Sequence, residues 1–151
     1  MAVGDTGDLE VMGGCTVERR ELRRLVDQSA DRITGFARRL VQTPSLSGEE
    51  GAVATLVADE MRSLRYDDVQ VDPLGNVVGR IGGGGGHTTM LHAHMDIVAP
   101  GDASRWQHPP YGGEIVDGYL WGRGASDTKG SLAAQVYAAG LLREAHITPP
   151  G

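Results

Sequence analysis

The sequence predicts an α/β fold in which helices cover a sheet. Three observations carry that expectation. Apolar residues recur at spacings of three and four through the first part of the chain. From Val69 onward the pattern switches to short strand-like runs broken by Gly, Pro and Asp-Gly signals. A last helical pattern then runs from about Lys129 to Glu144.

Residues 1–15 carry no periodic apolar pattern and are expected to be a disordered tail. Residues 16–151 are then the folded part. From about Val17, the residues Leu22, Leu25, Val26, Ile33, Phe36, Ala37, Leu40 and Val41 predict one amphipathic helix, with Arg and Glu on its solvated face. Pro44 stops it. Ser47 and Glu50 match the S-x-x-E capping box and predict the start of a second helix, whose buried stripe is Val53, Leu56, Val57, Met61 and Leu64.

Val69 and Val71 alternate with polar residues, as a half-exposed strand does. Leu74-Gly75-Asn76 reads as a turn, and Val77, Val78 and Ile81 as the returning strand. The five glycines 82–86 read as a flexible connector. They are not a phosphate loop, because no helix with Lys and Ser/Thr follows them. Residues 88–98 are mostly apolar, as in a strand buried on both faces. After a Pro- and Gly-rich loop, Asp117-Gly118 between alternating residues predicts a hairpin. The final helix is expected to bury Leu132, Val136, Tyr137, Leu141 and Leu142. The pattern stops at HITPPG, where an α/β chain ordinarily begins its next strand, so a truncated chain is expected.

Composition narrows the function classes. The 151 residues, 40% apolar and 23% charged, are ordinary for one globular domain. A net charge of -6 gives no reason to expect a nucleic-acid or anionic-membrane partner. The N-terminus lacks the basic and apolar regions of a signal peptide, and no apolar run approaches the ~20 residues of a membrane helix. A cytoplasmic location is the expectation. Cys15 is the only cysteine, which excludes an internal disulfide and a multi-cysteine zinc site.

Two stretches can carry chemistry. In Leu91–Val98, LHAHMDIV, the residues His92, His94 and Asp96 occupy alternate positions and would share one face of a strand. A ligating imidazole usually donates its other N–H to a carboxylate, so His94 as metal ligand with Asp96 as its orienting partner is a sensible pair. From this stretch alone, a hydrogen-bonded structural pair at a strand end is the more economical reading. In residues 122–131, GRGASDTKGS, Asp127 would lie near a helix start, either as an N-cap (Ser126 being the other candidate) or as a carboxylate metal ligand. A phosphate loop placed on Lys129 fails, because Arg123 and Thr128 stand where glycines are required.

Together these stretches resemble the co-catalytic zinc metallopeptidase family that includes acetylornithine deacetylase, succinyl-diaminopimelate desuccinylase, aminoacylase and glutamate carboxypeptidase. The resemblance spans roughly residues 30–147. It rests on LVQTPSLSGEE, LGNVVGRI, HMDIVAPGD and the run from Arg105-Trp106 through PPYGGEIVDGYLWGRGASDTKG. The wording of SLSGEE and PYGGEIVDGYLWGRGASD looks closest to the branch of deacetylase-like and selenium-metabolism-linked hydrolases.

The resemblance implies the N-terminal portion of a three-layer αβα catalytic domain, without the family's lid domain. It implies a hydrolase of N-acyl amino acids or small peptides, with two zinc ions per complete site and cobalt or manganese as alternatives. His94 matches the first-metal histidine, Asp96 the catalytic aspartate that orients it, and Asp127 the carboxylate bridging the metals. The Asp127–Thr128 peptide is expected to be cis. His92 and Ala93 depart from the pattern, since relatives usually have glycine at the position of Ala93, and His92 reads as a supporting or structural residue. His108 could touch substrate or be structural, and His87 is expected to be exposed. Arg105, Trp106 and Lys129 belong to the signature as architectural residues. The family also uses a glutamate pair after the last helix seen here, a further acidic ligand and a late histidine. None lies within residues 1–151, and Glu49-Glu50 precede the site. The chain alone is therefore expected to be catalytically incomplete. Its partner is either substrate or a separately encoded C-terminal half, and whether it forms a homodimer is left open.

Overall fold

The structure, a computed structural model, describes residues 9–12, 15–82 and 85–147. Ten helices and strands follow one another among them: β1 (Leu9–Met12), β2 (Cys15–Glu18), α1 (Arg19–Gln28), α2 (Ala30–Gln42), α3 (Gly51–Ser63), β3 (Asp68–Val71), β4 (Val77–Arg80), β5 (Glu114–Val116), β6 (Tyr119–Trp121) and α4 (Gly130–Glu144). The mixture of helix and strand agrees with the expected class. The described strands pair as three separate two-stranded antiparallel hairpins, β1–β2, β3–β4 and β5–β6. Of the segment 1–15, residues 1–8, 13 and 14 lie outside the described residues. Leu9–Met12 pairs with Cys15–Glu18, a stretch where Val11, Thr16 and Val17 favour strand.

The single helix expected from Val17 to Val41 is two helices. Ser29 breaks it: its N–H reaches both Leu25 O and Val26 O, and its own carbonyl accepts from Ile33 N at 2.9 Å to start α2. The break turns the apolar stripe of α1 out of the core, so α1 buries no residue and Val26 is half exposed. The stripe of α2 does what its periodicity predicts. Phe36, Ala37 and Leu40 are buried against Val53, Val57 and Leu64 of the α3 region and Leu132, Ala133, Val136 and Tyr137 of α4, and Val41 is buried beside Gly122. At ~2–5 kcal/mol lost per large-to-alanine change in such a core, these side chains hold the three helices together.

Polar ties add direction to this packing. The buried Glu60 carboxylate accepts from Tyr137 on one oxygen and Arg39 on the other, linking α3 to both neighbours. Arg32 makes a bidentate pair with Glu144 at 2.7 and 3.0 Å. Gly140 sits where α4 crosses the end of α3, and a Cβ there would lie 2.9 Å from Leu64 Cδ1 and 3.0 Å from Leu64 Cβ. Gly140→Ala is therefore expected to lower stability by ~1–2 kcal/mol, overpacking outweighing alanine's better helix propensity. Urea denaturation checks this, and a stabilised variant would contradict the close packing.

The turns follow their residues. Asp117 (φ 53) and Gly118 (φ 80) join β5 to β6 in the register Val116↔Tyr119, as the Asp-Gly pair predicts. The Asp72 carboxylate accepts from Leu74 N, Asn76 N and Asn76 Nδ2, closing the turn before β4. Those donors hold the Asp72 carboxyl below the usual aspartate value. Of the glycine connector 82–86, residues 83 and 84 lie outside the described residues.

Two expectations fail near the site. Residues 88–98 form no ladder: the run makes a single parallel bridge, Ile97 to Leu46, and Met90, Leu91 and Val98 stay exposed. The apolar run was right about hydrophobicity but names no neighbour, and among the described residues no strand lies along it. The capping box does not form either. Glu50 is the N-cap of α3 and makes no side-chain cap bond. Its carboxylate instead accepts from Gly48 N, while Ser47 turns elsewhere.

Candidate metal centre

Ser45 lies just past α2, buried, and laces that connection to residues 95–97. Its hydroxyl donates to Met95 O at 2.7 Å, and its carbonyl accepts from Ile97 N at 2.8 Å. This fixes the backbone that carries His94 and Asp96. The His94 imidazole has a partner at each nitrogen. Nδ1 lies 3.0 Å from both the Asp96 carbonyl and Asp96 Oδ1, and Nε2 lies 2.9 Å from Asp127 Oδ1. The Asp127 hydrogen bond raises the His94 pKa above its ordinary value; desolvation opposes it, and the Asp96 contacts add to the rise. Asp96 is held below the usual carboxylate range, chiefly by the Ser47 hydroxyl and then by His94.

Asp127 comes from the other end of the sequence, in the tight turn Ala125–Lys129 that feeds α4. Its peptide to Thr128 is cis, as the resemblance implied. Neither Ser126 nor Asp127 caps α4; its N-cap is Lys129. Lys129 holds the turn down. Its ammonium is fully buried and donates to Leu40 O at 2.9 Å and Thr43 O at 2.6 Å, carbonyls at the C-terminal end of α2. Gly124, at φ 81, lets the preceding turn lie against Ile97; a Cβ there would fall 2.5 Å from Ile97 Cγ2.

The outcome is a cleft of about 210 Å³ lined by His94, Asp96, Ile97, Arg123, Ser126 and Asp127 among others. The Asp127 side chain is 89% exposed. The three residues singled out from sequence are thus together. His92 is not among the lining residues; its side chain is exposed and its carbonyl accepts from Gln135. His108 pairs with Glu114 at 2.7 Å and packs on Trp121 within the β5–β6 region, away from the cleft. His87 is exposed. Trp106 donates to Pro100 O and lies under the Arg123 guanidinium, an architectural role, and Arg105 lines a separate shallow cleft beside it.

Residues 90–151 match the family model described as Peptidase family M20/M25/M40. A protein named succinyl-diaminopimelate desuccinylase from Paracoccus denitrificans is 37% identical over 114 residues, covering 74% of this chain and 29% of that protein. The chain belongs to peptidase family M20/M25/M40. Another relative with the desuccinylase name, from Cereibacter sphaeroides, is 43% identical over 103 residues, covering 66% of this chain and 27% of its own length. The protein named uncharacterized protein YgeY from Escherichia coli is 38% identical over 123 residues, covering 82% of this chain and 30% of that protein. This M20-family chain therefore spans less than a third of the length of these curated relatives. Its cleft residues His94, Asp96 and Asp127 all fall inside the matched segment. No helix among its described residues is long and apolar enough to cross a membrane.

The residue that sequence reasoning missed is Ser47. Its hydroxyl donates to Asp96 Oδ2 at 2.6 Å. The S-x-x-E spacing supplied a ready local explanation for that serine, and nothing local could reveal a partner 49 residues away.

Proposed function

We propose that the chain is the N-terminal part, residues 16–151, of the catalytic domain of a metal-dependent amidohydrolase. It would act on the amide bond of N-acyl amino acids or small peptides. In this reading the finished domain is a three-layer αβα structure. The names of the desuccinylase relatives support the hydrolase class. The single observation that carries the reading is an imidazole and a carboxylate 2.9 Å apart, from segments 33 residues apart in sequence, with a second carboxylate on the imidazole's other nitrogen.

The donor set fits a zinc-type ion in kind. Imidazole nitrogen and carboxylate oxygen are zinc ligands at about 2 Å, and two atoms this close can both reach one ion. It does not fit in number: among the described residues no group of three or more His, Cys, Asp or Glu is arranged so that it could hold a metal ion. His94 and Asp127 are assigned as ligands and Asp96 as the residue that orients His94. Asp96 keeps a proton on Nδ1, which leaves Nε2 its lone pair. The exposed flank of Asp127 leaves room for the bridging role the family gives that position. When bound, a zinc pair supplies Lewis-acid polarisation of the substrate carbonyl and lowers the pKa of water; cobalt or manganese would do the same.

The test is hydrolysis of N-succinyl and N-acetyl amino acids by a protein supplying the remaining ligands, with and without chelator. Activity should disappear on chelation and return with zinc, cobalt or manganese. Activity that survives complete metal removal overturns the reading. Residues 1–151 alone should be inactive, and hydrolysis of N-acetylornithine by that chain with added zinc would refute incompleteness.

A further inference from the structure

We infer that Ser47 is a positioning residue for the metal-binding imidazole, acting through Asp96; the inference rests on the metallohydrolase reading above. The Asp96 carboxylate is held at both ends. Oδ1 faces His94 Nδ1 at 3.0 Å, and Oδ2 accepts from Ser47 Oγ at 2.6 Å. A carboxylate with one oxygen free can rotate about its last bond and swing away from the imidazole. With both oxygens engaged, that rotation breaks the Ser47 hydrogen bond and the 3.0 Å contact with His94 together, while His94 Nδ1 also rests against the Asp96 carbonyl.

Ser47 is able to do this because its backbone is already placed. The Ser45 carbonyl accepts from Ile97 N, the Ser45 hydroxyl donates to Met95 O, and Leu46 bridges Ile97 in a parallel sense. The loop after α2 therefore runs alongside residues 95–97, and Ser47 is delivered to the oxygen of Asp96 that His94 leaves unused. Three short links thus run in series: the loop to residues 95–97, Ser47 to Asp96, Asp96 to His94. The division of labour between the two serines is distinct. Ser45 is buried and fixes backbone, whereas the Ser47 hydroxyl engages the carboxylate in question. A hydroxyl there is not needed for the helix that follows, because α3 is capped at Glu50 without a side-chain bond.

The experiment compares residues 1–151 with Ser47→Ala, Ser47→Thr, Ser45→Ala and His94→Ala. Two quantities are read. One is the rate at which the His94 Nδ1 proton exchanges with water, measured by NMR on metal-free protein. The other is zinc affinity by competition with a chelating dye. Ser47→Ala should speed the exchange several-fold and weaken zinc by about 10-fold, the lower end of what loss of an outer partner costs a metal site. Ser47→Thr keeps the hydroxyl and should restore both. Ser45→Ala removes the first link of the same series, so it should lower the melting temperature and speed the Nδ1 exchange less than Ser47→Ala does, because the Ser47–Asp96 bond remains. If Ser47→Ala exchanges like the wild type, the inference is overturned, whatever zinc does. If His94→Ala leaves zinc affinity unchanged, the metal reading fails by itself, and the exchange rates still decide whether Ser47 positions His94.

Discussion

Lys129→Ala is expected to cost about 3–5 kcal/mol, enough to unfold a large share of a marginally stable domain. The side chain is fully buried, so truncation leaves a cavity. It also strips Thr43 O of its ammonium donor, while Leu40 O keeps the Thr43 N–H at 3.2 Å. Thr43 O is part-buried, and leaving it without that donor costs up to ~3 kcal/mol. Lys129→Met keeps the volume and removes only the donor, so it should cost ~1–3 kcal/mol; urea denaturation measures both. Because Lys129 lies two residues beyond Asp127, either change should also loosen the Asp127–His94 contact.

The same lysine predicts a pH dependence with a definite sign. Burial lowers its pKa from 10.5 to about 8. Below pH 8 the folded and unfolded chains both hold the proton. Between about pH 8 and 10.5 the unfolded chain binds the proton more strongly, so this group's contribution to stability rises with pH. The Lys129→Met penalty should therefore be larger at about pH 10 than at about pH 7. A penalty that shrinks over that window, or a Lys129→Met variant as stable as the wild type throughout, would show that the lysine head group does not bear on the packing of α2 against α4.

Local patterns made the helices and turns legible in the sequence. Phe36, Ala37, Leu40 and Val41 share a helical face wherever the chain goes, and Asp117-Gly118 needs only its own backbone to turn. What the sequence could not specify was pairing. The run 88–98 has the hydrophobicity of a buried strand, yet Met90 and Leu91 are exposed, because burial depends on a neighbour that periodicity does not name. The α1–α2 break escaped notice because Ser29 preserves the three-and-four spacing on either side while its backbone diverts the stripe.

The site shows the same division. His94 and Asp96 are two residues apart, so strand geometry alone suggests their contact. Asp127 was one of two readings of its own stretch, and its meeting with His94 was reachable only through resemblance, since closing a 33-residue separation depends on Lys129, α2 and the Gly124 approach acting together. Ser47 satisfied a local motif and was explained by it, although its partner is Asp96.

Removing either proposed ligand is the change with the largest expected effect on function. His94→Ala and Asp127→Ala should each lower zinc affinity by at least ~100-fold, more than the ~10–100-fold that loss of an outer partner costs, because each deletes a donor atom. A protein that contains the remaining ligands should lose hydrolysis in parallel. The proton provides an independent check. Asp127 is the first cause of the raised His94 pKa, so Asp127→Asn should bring the His94 titration back down toward its ordinary range when followed by NMR. Zinc and the proton compete for Nε2. Wild-type affinity should then fall as pH drops through the raised His94 pKa, starting above the ordinary histidine value near ~6.5. His94→Ala should lack that part of the pH dependence. Zinc bound as tightly after His94→Ala as before, or a His94 pKa indifferent to Asp127→Asn, would separate the two side chains and remove the reason for placing a metal between them.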